Sequence, residues 1–276
     1  IIGDYYYLFN PHVRATLFNR LSLSLEDVIV IVDEGHNMPN RVAEMLSSSL
    51  TSDMLKNAIL EAKKFGFNDQ IAQLSDLNNL LNEMAKFPER EREKMVSRED
   101  FISGVSKFVD YENFMAGLEL SADEVRKKQR KSYLGGISSF LENWYQKGDH
   151  FARIIAEKEN RYGAYLELNN YCLDPSVITK EIFGLVHAGV MMSGTLRPTF
   201  MYKDLLGIER GVEKEYLSPF PPENKLSLVI PETTTKYSSR NEAMFKLIAK
   251  KCSELSELIP GNLALFFPSY DLRDKI

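Results

Sequence analysis

The spacing of apolar residues changes character several times along the chain. Val28-Ile29-Val30-Ile31-Val32 is a continuous β-branched run, the pattern of a strand buried on both faces in a parallel sheet. Before it, Tyr5, Tyr6 and Tyr7 read as alternating strand positions with one face in the core. From about residue 42 to 181 the spacing turns helical: Leu74, Leu77, Leu81 and Met84 recur at three and four residues, as do Ile137, Phe140, Leu141 and Trp144. Ser121-Ala122-Asp123-Glu124 has capping-box spacing and predicts one more helix start there. Strand character returns at Gly189-Val190-Met191-Met192 and ends in the polar turn Ser193-Gly194-Thr195-Leu196-Arg197-Pro198.

A Pro-rich connection, Ser218-Pro219-Phe220-Pro221-Pro222, opens a last segment. There Ser239 and Glu242 predict a capping box before an amphipathic helix carrying Phe245, Ile248, Cys252 and Leu255, and Leu263 to Phe267 predicts a buried strand. The order predicts an α/β fold: a parallel-sheet domain over 1–41 and 182–217, a large helical insertion over 42–181, and the start of a second α/β domain over 218–276. Both ends read as cut from a longer chain.

Composition narrows the classes. Hydrophobic residues at 44% and charged ones at 26% suit a globular protein rather than a disordered one. The longest apolar runs fall far short of the roughly 20 residues that span a bilayer, and the first residues lack a secretory pattern. Cys172 and Cys252 are far apart and form no C-x-x-C, which predicts buried thiols in a reducing compartment. His12, His150 and His187 have no metal-ligand spacing, and neither H-E-x-x-H nor G-x-S-x-G occurs. A net charge of -5 requires any nucleic-acid surface to be local.

The chemistry concentrates at Asp33-Glu34-Gly35-His36, at the carboxyl end of the first buried strand, where open α/β sheets bind ligands. Such a pair suits nucleoside triphosphate hydrolysis: Asp33 holds magnesium through its water shell and Glu34 orients the attacking water. Gly35 leaves room for close approach, and His36 exchanges hydrogen bonds that report the nucleotide's state. The plainer alternative is a strand end that caps the next helix. For nucleic acid, Arg126-Lys127-Lys128-Gln129-Arg130-Lys131-Ser132-Tyr133 combines charge with an aromatic, as a single-strand track does, or is a solvated helix face. The sign-alternating run Glu89 to Lys94 reads as solvated. Arg197 is a phosphate contact or an ion-pair partner.

Val30-Ile31-Val32-Asp33-Glu34-Gly35-His36-Asn37 resembles motif II, the D-E-x-H or Walker B element, of the XPD (xeroderma pigmentosum group D) branch of superfamily-two helicases. Ser193-Gly194-Thr195-Leu196 with Pro198 is similar to its motif III, and Phe266-Phe267-Pro268-Ser269-Tyr270 to its motif IV. Asp4-Tyr5-Tyr6-Tyr7-Leu8-Phe9-Asn10-Pro11 resembles the tyrosine-rich strand of its first motor domain. Asp33 and Ser193 lie 160 positions apart, room for the helical arch that this branch inserts and that ordinary D-E-A-H RNA helicases lack.

The resemblance implies RecA-like motor domains and an ATP-dependent DNA helicase moving 5′ to 3′ in DNA repair, such as nucleotide excision repair. It implies ATP, Mg2+ through Asp33, single-stranded and fork DNA, and repair-protein partners on the arch. Localisation is then cytoplasmic in a prokaryote or nuclear in a eukaryote, without secretion or a membrane partner. Ser193, Gly194 and Thr195 become the link from nucleotide to DNA, and Ser269 and Tyr270 DNA contacts or a polar turn with a packing tyrosine. A 4Fe-4S cluster is implied only for the parent protein, because the family's four ligand cysteines precede motif II.

Two departures stand out. Position 35 is Gly where Ala is commonest, and no G-x-x-x-x-G-K-[ST] phosphate loop occurs, so this chain alone is expected to be inactive. Alternatives are a bacterial damage-inducible-type helicase, an RNA-directed one, or a non-catalytic arch-containing binding module.

Overall fold

The computed structural model describes residues 1–88 and 91–276, so Glu89 and Arg90 of the sign-alternating run lie outside the described residues. The chain forms two compact units, residues 1–214 and 215–276.

The first unit opens with α1 (Tyr6–Phe9) and α2 (Pro11–Leu21) rather than a strand. Asp4 turns the backbone: its carboxylate accepts the Tyr6 N–H at 2.9 Å and its carbonyl the Tyr7 N–H at 3.1 Å. Asn10 then caps α2 by accepting the Val13 N–H, with Pro11 at a position that needs no donor. Next come β1 (Ile29–Val32), a 3-10 turn at Gly35–Asn37 and α3 (Met38–Leu46).

The insertion runs through β2 (Ser48–Thr51), α4 (Ser52–Phe65), α5 (Asn68–Met84), β3 (Glu93–Met95), α6 (Arg98–Val105), α7 (Tyr111–Arg126), α8 (Tyr133–Tyr145), β4 (Phe151–Asn160) and β5 (Gly163–Cys172). Then α9 (Ser176–Leu185), β6 (Ala188–Met191) and α10 (Thr199–Leu205) close the unit. The second unit holds α11 (Glu242–Leu258) and α12 (Tyr270–Lys275).

Two sheets result. β1 pairs in parallel with β6, and β2-β5-β4-β3 form an antiparallel sheet. The insertion is therefore not purely helical. Its sheet escaped the sequence reading because β4 and β5 alternate poorly, and the hairpin signal is a modest one, Arg161-Tyr162 between the paired Asn160 and Gly163.

The apolar interior divides in two. Phe9, Val32, Met38, Val42, Ile182 and Leu206 form the core under β1 and β6. A larger core fills the insertion around Leu77, Phe101, Phe114, Leu118, Phe140 and Trp144. Phe101 and Phe140 lie 4.8 and 5.5 Å from the Trp144 ring, and the indole N–H donates to the Arg98 carbonyl, so the one tryptophan is fully partnered.

Four expectations need correction. Val28–Val32 is not buried on both faces: Val32 is buried, but Ile29 and Ile31 are 64% and 66% exposed, because the small core covers one face of the pair. Ser121-Ala122-Asp123-Glu124 lies inside α7, where Ser121 bonds back to the Gly117 carbonyl; Asp110 is the N-cap. Asn241, not Ser239, caps α11, accepting the Met244 N–H directly. Residues 263–267 form no strand, since no described strand of that unit pairs with them, and Phe266 is 93% exposed.

Replacing Trp144 with Ala is expected to destabilise the insertion by about 3–5 kcal/mol in urea unfolding of this chain. Leu120→Ala, on the outer face of α7, is expected to change it by less than about 0.5 kcal/mol.

Candidate functional site

The site is built by strand register. β1 and β6 align Val32 with Met191, and the ladder runs on as the Met192 N–H donates to the Val32 carbonyl and the Gly35 N–H to the Met192 carbonyl, both at 2.9 Å. Asp33 and Glu34 on one strand end are thereby set beside Ser193 on the other. Glu34 and Ser193, 159 positions apart in sequence, become neighbours.

His36 is the hub: its Nδ1 lies 2.7 Å from the Ser193 hydroxyl and 3.2 Å from a Glu34 carboxylate oxygen. Ser193 Oγ is in turn 3.3 Å from that carboxylate and 3.4 Å from the Thr195 hydroxyl, and it accepts the Thr195 N–H at 3.1 Å. One proton arrangement satisfies all three side chains. The imidazole Nδ1–H donates to Ser193, and the Ser193 hydroxyl donates to the Glu34 carboxylate. Gly194 shapes this turn without a close neighbour.

Glu34 adopts left-handed backbone angles, φ 49° and ψ 41°, a conformation that costs a non-glycine residue on the order of 1–2 kcal/mol. Several contacts offset it. The Glu34 N–H donates to Asp33 Oδ1 at 2.9 Å, the Asn37 N–H donates to the Glu34 carbonyl at 2.9 Å, and the Tyr5 hydroxyl donates to the Asp33 and Glu34 carbonyls at 2.6 and 3.1 Å. Burial, then the charges of Asp33 and Glu34, push the Tyr5 phenol above its ordinary value, so it remains a donor. The alternation of Tyr5, Tyr6 and Tyr7 predicts a strand with one face in the core; Tyr5 does pack against the core, but Asp4 makes the segment helical and lets the hydroxyl reach the turn.

Gly35 is required for space rather than for backbone freedom. It is buried, and a Cβ built there would stand 2.3 Å from Met191 Cγ. The bulky Met191 fills the volume that an alanine methyl at position 35 would need.

Asp33 keeps Oδ2 without a protein partner among the described residues, and no group of three or more His, Cys, Asp or Glu gathers there as a metal cage. One exposed carboxylate with a free oxygen fits a magnesium held mainly by water and substrate phosphates. An iron-sulfur cluster does not fit this chain: Cys172 is buried in β5 and Cys252 lies on α11, both as free thiols.

The nucleic-acid candidates scatter over several places. The run from Arg126 to Tyr133 is the turn between α7 and α8. Arg126 is paired with Glu119 at 2.6 Å and Asp123 at 3.0 Å, bonds that raise its pKa, and Lys127 is paired with Glu124. Lys128, Arg130, Lys131 and the half-exposed Tyr133 remain at the surface. The turn is pinned by the buried Glu61 carboxylate, which accepts from Gln129 at 2.6 Å, Ser132 at 2.8 Å and the Leu134 N–H at 3.0 Å. Lys64 also reaches Gln129 at 3.3 Å, and the Lys64 and Lys128 ammonium groups both lie over the Phe65 ring. Lys63-Lys64-Phe65, at the end of α4, thus extends the patch, a neighbour that only the fold reveals. Arg197 is exposed after the Ser193 turn, its N–H bonded to the Thr195 carbonyl. Ser269 caps α12 by accepting the Leu272 N–H, and Tyr270, 78% exposed, is stacked by Arg273. No helix among the described residues is long and apolar enough to cross a membrane.

Residues 1–55 match the DEAD_2 family model. The whole chain is 23% identical to the XPD/RAD3 helicase subunit of general transcription and DNA repair factor IIH from Saccharomyces cerevisiae, covering 44% of that subunit. ATP-dependent DNA helicase CHL1 of Candida albicans is 24% identical over 93% of this chain and 36% of its own length. ATP-dependent DNA helicase XPD of Sulfolobus acidocaldarius is 24% identical over 93% of this chain and 44% of its own. A solved apo XPD structure matches with a TM-score of 0.56 at 23% identity, covering 98% of this chain and 51% of that one. The chain therefore spans less than half the length of these curated relatives. The resemblance to the XPD branch extends from the four motifs to the whole chain, and the fold is α/β and RecA-like with a helical insertion.

Gly35→Ala is expected to destabilise this chain by about 1–3 kcal/mol, read as a lowered unfolding midpoint. Adding Met191→Ala is expected to restore much of the loss contributed by the clash; equal midpoints for the parent chain and Gly35→Ala would show that Met191 yields freely.

Proposed function

We propose that this chain is the central part of an ATP-dependent DNA helicase of the XPD type, moving 5′ to 3′ on single-stranded and fork DNA in DNA repair. The observation that carries the reading is the cluster joining Glu34 and His36 to Ser193, across a break as long as a domain. In this reading residues 1–41 and 182–217 belong to the first motor domain, 42–181 to the arch, and 218–276 to the start of the second motor. The two separate cores support setting the arch apart from the first motor domain, and the compact unit over 215–276 supports a separate last segment.

Asp33, with its free Oδ2, would hold a hydrated magnesium ion through one of its waters. Magnesium, when bound with ATP, neutralises charge on the β- and γ-phosphates. Glu34, 62% exposed at its side chain, accepts a hydrogen bond from the attacking water and aligns it with the phosphorus. Ser193 shares its hydroxyl between His36, Glu34 and Thr195, so a change in what Glu34 holds redistributes protons through the turn that leads to Arg197. DNA passes over Lys128, Arg130, Lys131 and Tyr133 of the arch, with Arg126 and Lys127 held back by their carboxylate partners. Arg197 of the first motor segment is a further DNA contact in this reading, as are Ser269 and Tyr270 of the second. The phosphate loop and the iron-sulfur cysteines belong to other parts of the parent protein, and the arch surface is available to repair-protein partners.

Glu34→Gln in the full-length parent protein is expected to lower ATP turnover stimulated by single-stranded DNA by about 100-fold or more while leaving nucleotide binding in place. Stimulation by RNA of the same length is expected to be much weaker. Normal turnover in the variant would remove Glu34 from the water-orienting role.

A further inference from the structure

We propose that Tyr5 is a positioning residue for the Asp33–Glu34 carboxylate pair, its hydroxyl holding the turn in the left-handed geometry that aims Glu34 at His36 and Ser193. This rests on the nucleotide-site reading above and adds a residue outside the motif itself.

The argument begins with what fixes Tyr5. It stands at the N-cap of α1, its carbonyl accepting from the N–H groups of Leu8 and Phe9 at 3.1 and 2.9 Å. Phe9 is 1% exposed in the core with Met38 and Val42, and the Tyr5 ring packs against that same core. The hydroxyl is thus delivered by a rigid element to the exit of β1. It meets two successive carbonyls, Asp33 at 2.6 Å and Glu34 at 3.1 Å.

Helical-type angles at Glu34 turn the Asp33 and Glu34 carbonyls to the same side, and here those angles are left-handed, φ 49° and ψ 41°, the hand that is unfavourable for a non-glycine residue. Four contacts constrain the turn: Tyr5 on its carbonyls, Asn37 on the Glu34 carbonyl, Asp33 Oδ1 on the Glu34 N–H, and Met192 on the Gly35 N–H. Tyr5 is the only one of these that comes from outside β1, β6 and the turn between β1 and α3. Without its hydroxyl, water takes over both carbonyls, and Glu34 is free to return to ordinary angles. Its carboxylate then leaves the 3.2 and 3.3 Å contacts with His36 and Ser193. Asp33 Oδ1 loses the Glu34 N–H in the same movement, so both carboxylates are disordered by one lost donor.

The test is Tyr5→Phe in the full-length parent protein, which keeps the ring and its packing. Amide hydrogen exchange over residues 33–37, in protein free of metal and nucleotide, is expected to quicken at least about fivefold, with α5 unchanged. The kcat for DNA-stimulated ATP hydrolysis is expected to fall about 5- to 10-fold, the size of one lost hydrogen bond, with the KM for ATP within about twofold. Unchanged exchange across 33–37 would overturn the clamp. A faster turn with undiminished kcat, or kcat and KM shifting together with a lowered global melting point, would overturn the positioning role. Glu34→Gln in the same assays separates the two claims: if it turns over normally the nucleotide-site reading fails, whereas an inactive Glu34→Gln beside a normal Tyr5→Phe rejects only the role given to Tyr5.

Discussion

The arrangement depends on the parallel pairing of β1 with β6. The contacts of Ser193 with Glu34 and His36 follow from the register that sets Val32 beside Met191. That pairing closes a very long loop. Loop-closure entropy rises only by about 0.6 kcal/mol per doubling of length, so length is not the obstacle; alignment is. The insertion solves alignment by bringing its own ends together. Ser48 of β2 pairs with Asn170 of β5, and the Cys172 N–H donates to the Ser47 hydroxyl at 2.9 Å across 125 positions. Chain entry and exit are thus adjacent just beyond α3 and before α9, and β6 returns in register with β1.

A second consequence is how the turn after β1 is held. Glu34 is strained, Gly35 is confined by Met191, and the carbonyls of Asp33 and Glu34 converge on Tyr5. Residues held in sparsely populated backbone geometry persist where surrounding structure over-determines them. Here the surroundings come from three chain segments, the start of α1, the turn itself and the end of β6, so the protein's own contacts hold the backbone that carries the two carboxylates. Orientation in advance is what the role proposed for Glu34 would require, because energy spent ordering a carboxylate during a reaction is energy lost from the rate.

Much of this was legible in the sequence. The β-branched run and the polar residues at its end gave β1 and the carboxylate pair, and the second apolar run gave β6 and Ser193. Leu74, Leu77, Leu81 and Phe140, Leu141, Trp144 announced helices of the insertion core because their 3.6 period is unambiguous. What failed did so for local reasons. Tyr5-Tyr6-Tyr7 alternate like a strand, but Asp4 bonds the first turn into a helix. Ser121 and Glu124 mimic a cap, yet Ala122 and Val125 carry the buried stripe straight through. The pairing of β2 with β5 and the meeting of Lys64 with Gln129 are tertiary events with no local pattern to announce them, and the β4–β5 hairpin had only the modest turn signal at Arg161-Tyr162. The role of Tyr5 was hidden for the same reason: its partner is 28 positions away.

The central claim is that the Glu34, His36 and Ser193 cluster transmits nucleotide state toward DNA, and a double-mutant cycle tests it most directly. His36→Ala, Ser193→Ala and the double variant of the full-length parent protein are compared for the factor by which single-stranded DNA raises ATP turnover. The account predicts that each single variant loses most of that stimulation, keeps its DNA-free turnover, and that the double variant is no worse than the poorer single. Losses that multiply between the two sites, or stimulation that survives in either single variant, would contradict it.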